Sequence, residues 1–168
     1  TLKKHVTAFF TLENGKRLAF DDVRKFGRIY LYKNLEPIDI RHGPEPLEDH
    51  FTPEILIKLI KSKKRNIKAL LLDQSMISGL GNIYADECLW KSRIHPNSIS
   101  SKIPQEKIKN LFINIRAILK KAIQQNGTTI IDFSVNGESG KYANELKIYG
   151  KENSKCFNCK SEIKKIRV

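Results

Sequence analysis

The stretch that decides the fold is Leu70–Trp90, LLLDQSMISGLGNIYADECLW, in which an apolar run and an amphipathic run flank two closely spaced glycines. Because glycine has no Cβ, Gly79 and Gly81 allow left-handed dihedrals and a close approach of the backbone to a bulky partner. Asn82 follows at the position expected for the N-cap of a helix that opens at Ile83. The first turn of such a helix presents free N–H groups that suit a phosphate oxygen. An ordinary turn between two packed helices explains the same pattern.

The charge balance indicates the kind of partner. The chain has 168 residues, with 31 Lys and Arg against 18 Asp and Glu, and its net charge is +13. Such an excess favours a polyanion, and nucleic acid fits better than a membrane because no long apolar segment accompanies the charge. Three cysteines are too few for a disulfide framework, and no signal-peptide pattern is present. We therefore expect a cytoplasmic, DNA-associated protein that makes no membrane contact.

The first thirty or so residues predict an antiparallel β-meander. Apolar residues occupy every second position at Val6, Ala8, Phe10 and Leu12 before an Asn-Gly hairpin signal, and Leu18 and Phe20 resume this period after it. Ile29 and Leu31 continue the pattern. Between these strands, Arg24 stands two residues before Phe26. On a DNA-binding surface an aromatic wedge fills a gap in the base stack while the guanidinium addresses an unpaired base. A strand-end turn with Phe26 in the core is the alternative.

Helices are predicted for most of the remaining chain, after a proline-rich linker over residues 37–46. The first begins with Thr52-Pro53-Glu54, others cover 66–73 and 83–92, and the longest runs from Pro104 to a stop at Gly127. Between residues 58 and 68 the chain has six basic residues and no acidic one, which fits either phosphate contact or a solvated face. The polar loop that follows Thr128 is a candidate ligand lid or an ordinary connection.

Near its end the chain carries half of a zinc site. Cys156 and Cys159 are spaced as a C-x-x-C knuckle, which supplies two of the four tetrahedral ligands of structural zinc. No second pair follows, the four histidines lack ligand spacing to this pair, and Cys88 is expected to be a small buried residue. Because the chain starts without Met and ends inside this motif, we expect a fragment with a weak half-site for one zinc ion.

Taken together, these motifs resemble the formamidopyrimidine-DNA glycosylase family, which includes endonuclease VIII. The resemblance rests on DVRKFG, GPEP, IKALLLDQSMISGLGNIYADECLW, IHP, GTT, NELKIYG and C-x-x-C, which occur in this order along the whole chain. It implies an α+β fold: residues 1–42 as the last strands of an antiparallel β-sandwich, 43–150 as a helix-two-turn-helix DNA-binding domain, and 151–168 as a truncated zinc finger.

The resemblance also implies base excision DNA repair. The family excises oxidised purines such as formamidopyrimidine and 8-oxoguanine, and it then nicks the abasic strand by β,δ-elimination through a Schiff base on an N-terminal proline. The proline, a glutamate, a lysine and a finger arginine that carry this chemistry have no counterpart here. We therefore expect the fragment to be inactive and to act as a monomer that binds damaged double-stranded DNA.

Five residues match the DNA-contacting positions of the family. The resemblance implies that Arg24 faces the orphaned base and that Phe26 wedges into the base stack. It places Lys63 at the family's basic DNA-contacting position and Asn82 at the asparagine that binds the phosphate flanking the lesion. Lys3 stands where many members carry a DNA-contacting histidine. The loop from Ser134 to Tyr142 matches the segment that closes over the damaged base.

Two other classes of function fit the same sequence. One is a non-catalytic DNA-binding remnant of the family, and a Met-Pro-Glu start upstream would exclude it. The other is an RNA-binding protein with a similar helical motif, against which the wedge pair and the zinc half-site argue.

Overall fold

The computed structural model describes residues 4–130, 134–135 and 138–167. The chain divides into two compact units, Thr1–Leu35 and Glu36–Val168, of which the first holds a β-hairpin and the second holds the helices and the cysteine tail. The predicted α+β class is confirmed. The unit boundary precedes the break expected after residue 42, and the three-part domain division stays a prediction.

The first unit is built on a two-stranded antiparallel hairpin. Strand β1 (Val6–Thr11) pairs with β2 (Arg17–Asp21), and the register shifts by a bulge between Val6 and Ala8. Gly15 takes a φ of +75° in the turn, as the Asn-Gly signal predicts. The strand expected at Ile29 and Leu31 does not form, and the expectation is wrong. A strand needs a neighbour for its N–H and C=O groups, and no described segment pairs with these residues.

The second unit is mainly helical. Its α-helices and short strands follow one another as α1 (Glu36–Asp39), α2 (Pro53–Lys61), α3 (Ile67–Leu71), α4 (Asn82–Lys91), α5 (Gln105–Gln124), β3 (Ser134–Val135) and β4 (Glu138–Ser139). Two 3₁₀ turns, Ser100–Lys102 and Tyr142–Glu145, complete the regular structure. Among the described helices, none combines the length and the apolar character that crossing a membrane requires.

The core of the second unit lies between α4, α5 and the shorter helices. Helix α5 buries one stripe at helical spacing, formed by Ile108, Leu111, Ile115, Ile118, Leu119 and Ala122. Helix α2 begins as predicted, since the Thr52 side chain accepts a hydrogen bond from the Ile55 N–H and proline occupies the first helical position. Cys88 is fully buried, and this desolvation raises its pKa to about 12.

Beyond α5 the chain reverses and returns to the helices. Asn126 and Gly127 both have positive φ values, 57° and 81°, and end the helix where the sequence predicts a stop. An isolated bridge joins Thr128 to Lys141, and the tail folds back on itself through a bridge between Lys155 and Glu162. The tail contacts α4 where the Trp90 indole donates a hydrogen bond to the Cys156 sulfur.

Candidate nucleic-acid interface

The connection between α3 and α4 is held by one side-chain amide. Gln74 donates from Nε2 to the carbonyl oxygens of Leu72 and Leu80, and its Oε1 accepts the Gly79 N–H at 2.9 Å. Gly79 has a φ of +77°, the left-handed conformation in which a side chain is costly. This turn therefore favours glycine at residue 79 and connects α3 to the start of α4 through the Gln74 side chain.

Asn82 lies at the exposed start of α4, but it is not the N-cap. Gly81 occupies that position with extended dihedrals (φ −100°, ψ 176°), its carbonyl accepts the Ala85 N–H, and Asn82 is the first helical residue. The expected side-chain cap is absent from this helix, so that expectation is wrong. The extended Gly81 starts the helix one residue early and leaves the Asn82 amide available beside the positive end of the helix dipole.

Some of the basic side chains between residues 58 and 68 make contacts within the protein. Lys61 donates to the carbonyl of Ser101 at 2.8 Å, and Lys68 pairs with Asp86 at 2.8 Å with both side chains largely buried. Both cations therefore make contacts within the protein. A solvated face, one of the two alternatives for the run, does not describe these two lysines.

A third member of the run is also paired. Arg65 contacts Asp73 at 2.8 Å and the carbonyl of Ala69 at 2.8 Å. A hydrogen bond from Ser75 and the Arg65 guanidinium hold the pKa of Asp73 below its usual value. Lys58, Lys63 and Lys64 form no ion pair within the described residues, and Lys63 is exposed on the segment before α3. Lys63 is therefore free to meet a phosphate.

Arg24 and Phe26 lie on a turn of the first unit that one carboxylate organises. Asp22 accepts the Gly27 N–H at 2.6 Å and the Arg24 N–H at 3.1 Å, and the Gly27 contact is the largest cause that lowers the pKa of Asp22. Lys25 takes a φ of 57° between them. Phe26 is 80% exposed, which excludes the alternative that its ring belongs to the core of this unit. The Arg24 guanidinium lies 5.9 Å from the Phe26 ring centroid, so the two form one cation–aromatic pair.

The two cysteines of the tail have unequal surroundings. Cys156 is buried and its Sγ accepts the Trp90 indole N–H at 3.4 Å, whereas Cys159 is exposed. Hydrogen bonds from the Cys159 backbone, then Trp90, then the Asn158 backbone lower the pKa of Cys156 to about 7. A thiol with this pKa provides the thiolate that zinc requires.

The donor set for zinc is incomplete in the part of the chain that is described. No group of three His, Cys, Asp or Glu side chains there could hold a metal ion. The chemistry of the Cys156–Cys159 pair suits zinc, but the pair supplies two of the four ligands that a structural site uses.

Two of the expected contacts fall partly or wholly outside the described residues. Lys3 lies outside them, and the loop from Ser134 to Tyr142 is described only at 134–135 and 138–142. In the described part, Gly140 donates its N–H to the Thr129 hydroxyl at 2.7 Å, and Tyr142 is buried.

One structural residue near the interface was missed by the sequence analysis. The Glu87 carboxylate is buried and accepts the backbone N–H groups of Lys147, Ile148 and Tyr149. Glu87 thereby ties the segment before the cysteine tail to the helix that begins at Asn82. The available signal was a carboxylate next to Cys88, which the sequence predicts to be buried.

The helical unit matches a known domain. Residues 42–134 match the formamidopyrimidine-DNA glycosylase H2TH domain. The chain belongs to the formamidopyrimidine-DNA glycosylase family. Formamidopyrimidine-DNA glycosylases of Lactobacillus gasseri and Rickettsia felis are each 42% identical to it over 170 residues, which cover 98% of this chain. The chain spans 62% and 61% of the length of these two relatives.

Solved structures of formamidopyrimidine-DNA glycosylases resemble the chain closely. The MutM (Fpg) protein of Thermus thermophilus aligns with a TM-score of 0.90 and 31% identity over 100% of this chain and 65% of its own. Lactococcus lactis Fpg in complex with DNA containing an abasic site aligns with a TM-score of 0.81 and 38% identity, over 90% of this chain and 58% of its own. The same enzyme, as the G226P mutant, has also been solved with DNA containing Fapy-dG.

Proposed function

We propose that the protein acts in base excision DNA repair, as a glycosylase that removes oxidised purines and as a lyase that cuts the abasic strand by β,δ-elimination. Membership of the formamidopyrimidine-DNA glycosylase family supports this reaction class. It acts on damaged double-stranded DNA as a monomer in the cytoplasm of a bacterial cell. The finer chemistry follows from the resemblance, in which an N-terminal proline forms the Schiff base.

Within this reaction the 168 residues themselves bind DNA and do not cut it. The observation that carries the proposal is the exposed start of α4, where Asn82 stands at the positive end of the helix dipole, in a unit that also exposes Lys63. Asn82 and Lys63 bind the backbone beside the lesion, and Lys3 adds a further phosphate contact. The exposed Arg24 and Phe26 enter the gap left by the flipped nucleotide.

The Cys156–Cys159 pair belongs to a structural zinc finger that supports DNA binding. The lowered pKa of Cys156 and the tight turn between the two thiols support this proposal. When bound, zinc would cross-link the tail. Trp90 orients the Cys156 sulfur by donating a hydrogen bond to it.

A binding and cutting assay tests both parts of the proposal. The chain is incubated with a duplex that carries an aldehydic abasic site, then treated with borohydride, and the mixture is resolved on native and denaturing gels. We expect a shifted complex that weakens with salt, with a log–log slope of about 0.9 per phosphate contact, and no trapped adduct or nick. A complex that is insensitive to salt would refute phosphate binding, and a trapped adduct would refute the absence of chemistry in these residues.

A further inference from the structure

The end of α4 opposite Asn82 carries an unusual arginine. Helix α4 closes with a Schellman arrangement, in which the Arg93 N–H donates to the Trp90 carbonyl and the Ile94 N–H donates to the Leu89 carbonyl, both at 3.0 Å. Arg93 is the residue that takes the left-handed conformation, with a φ of 54°. Glycine is preferred there because a Cβ is strained in this conformation. The arginine at this position therefore carries a strained backbone together with a cationic side chain.

The Arg93 side chain is exposed and has no acidic partner within the described residues. It lines a concave cavity of about 380 Å³ together with Lys102 and Lys107, and no acidic side chain lines that cavity. The Lys107 ammonium donates to the backbone carbonyl of Arg93 at 3.1 Å, which places this ammonium beside residue 93. Three uncompensated cations around one concavity fit an anionic ligand.

Part of the lining of this cavity, its floor, is apolar. Ile99, which is 37% exposed, and the exposed Pro104 present this apolar surface, whereas Ile94 and Ile103 are buried beneath it. His95 and Ser98 also line the cavity. His95 and Arg93 also border a neighbouring cavity of about 620 Å³ that is lined by Trp90. An occupant of this surface therefore meets apolar side chains below and cations at the edge. A peptide can place an apolar side chain on Ile99 and Pro104 while its carboxylates meet the cations, which suits this combination of groups.

We propose that the Arg93 cavity binds an acidic peptide segment of a partner protein, which places an apolar side chain on the floor and its carboxylates against Arg93, Lys102 and Lys107. Recognition of acidic motifs by arginine clusters and capture of a chain-terminal carboxylate are established modes of peptide binding. The ten residues of α4 separate the cavity from Asn82 by about 15 Å, at a rise of 1.5 Å per residue. The site is therefore distinct from the proposed phosphate contact at Asn82 and does not rest on the proposed repair function.

A labelled peptide tests the site directly. The probe is fluorescein-Ser-Glu-Asp-Glu-Leu-Phe with a free terminal carboxylate, and its anisotropy is titrated with the full chain. Emission of Trp90, the one tryptophan of the chain, gives a second readout beside the cavity. We expect saturable binding, weaker binding of the same peptide with an amidated terminus, and no displacement by intact duplex DNA.

The decisive variant is Arg93→Gly, because it removes the cation and relieves the backbone strain at once. It should weaken peptide binding about tenfold, since a charge-assisted hydrogen bond is lost. Its Tm should rise by about 2–4 °C, which excludes misfolding as the cause. Lys91→Ala, which removes an exposed cation of α4 that does not line the cavity, should leave peptide binding unchanged.

Three results would overturn the proposal. The first is the absence of saturable binding to the wild-type chain. The second is equal affinity of the wild-type and Arg93→Gly chains for the peptide. The third is full displacement of the peptide by intact duplex, which would assign these cations to the DNA backbone.

Discussion

The carboxylate of Glu87 accepts the backbone N–H of Tyr149 at 2.9 Å, and neighbouring N–H groups of Ile148 and Lys147 converge on the same side chain. Glu87 lies in the middle of α4, whose first residue is Asn82 and whose Trp90 contacts Cys156. Helix α4 therefore carries the proposed phosphate contact and also contacts both residues 147–149 and the cysteine tail. Substitution of Glu87 should therefore lower the stability of the second unit.

Glu87→Gln should destabilise the chain by about 2 kcal/mol, or about 4–8 °C in Tm, because an amide NH₂ would face backbone donors inside the core. Thermal unfolding followed by circular dichroism measures the loss. Glu106→Gln is the matched control, since its side chain is 83% exposed and its change should leave Tm unaltered. Equal Tm values for the two variants would show that the buried contacts of Glu87 contribute nothing.

Gly79→Ser should lower the free energy of unfolding by about 1 kcal/mol, because residue 79 has a φ of +77°, a conformation that residues with a Cβ rarely adopt. A new Cβ would meet no atom within 4 Å, so the cost is one of backbone conformation alone. Gly81→Ser provides the control: it is equally open, has an extended backbone and sits at the N-cap, where serine is favoured. Urea denaturation should give a lower free energy of unfolding for Gly79→Ser than for the wild type, and an equal or higher one for Gly81→Ser. The reverse order would contradict the geometry of this turn.

The turn that carries Arg24 and Phe26 should be lost at low pH. Hydrogen bonds, first that from the Gly27 N–H, lower the pKa of Asp22 from 3.8. The ionised carboxylate therefore stabilises the folded turn above the unfolded-state pKa, and this stabilisation is lost as the pH falls through the lower folded-state pKa. The Gly27 amide resonance, followed by NMR during acid titration, should shift with a midpoint below 3.8. A midpoint at or above 3.8 would contradict this role of Asp22.

Zinc should bind weakly and through the tail thiols alone. Competition against a chromophoric chelator should detect binding to the wild-type chain, and both Cys156→Ser and Cys159→Ser should abolish it, because the pair supplies two of four ligands. Cys88→Ala should retain zinc binding, since that thiol is fully buried with a pKa raised to about 12. Zinc binding that survives Cys156→Ser would refute the half-site.

The sequence predicted correctly those elements that depend on interactions between residues close together in the chain. The Asn-Gly turn, the Thr52 cap and the helix stop at Gly127 each act within a few residues, and each of the three predictions was confirmed. The strand at Ile29 failed because strand formation depends on a distant partner. The alternation of apolar residues carries no information on whether that partner is present.

The sequence indicates which residue types the candidate site contains, but it does not show which of these side chains are already paired within the protein. The charge run gave no means to separate Lys61 and Lys68, which the fold uses, from the exposed Lys63. Their partners, Ser101 and Asp86, are distant in sequence. Glu87 was missed for the same reason, because its partners lie about sixty residues further along the chain.

The central claim is that the turn of Arg24 and Phe26 reads the lesion while Lys63 binds backbone. The most direct measurement compares the affinity of the wild-type, Arg24→Ala and Lys63→Ala chains for a duplex with an abasic-site analogue and for the matching intact duplex, by fluorescence anisotropy at fixed salt. Arg24→Ala should reduce affinity for the abasic duplex more than for the intact one, and Lys63→Ala should reduce both alike. Equal losses on both duplexes for Arg24→Ala, or a lesion-selective loss for Lys63→Ala, would contradict the account.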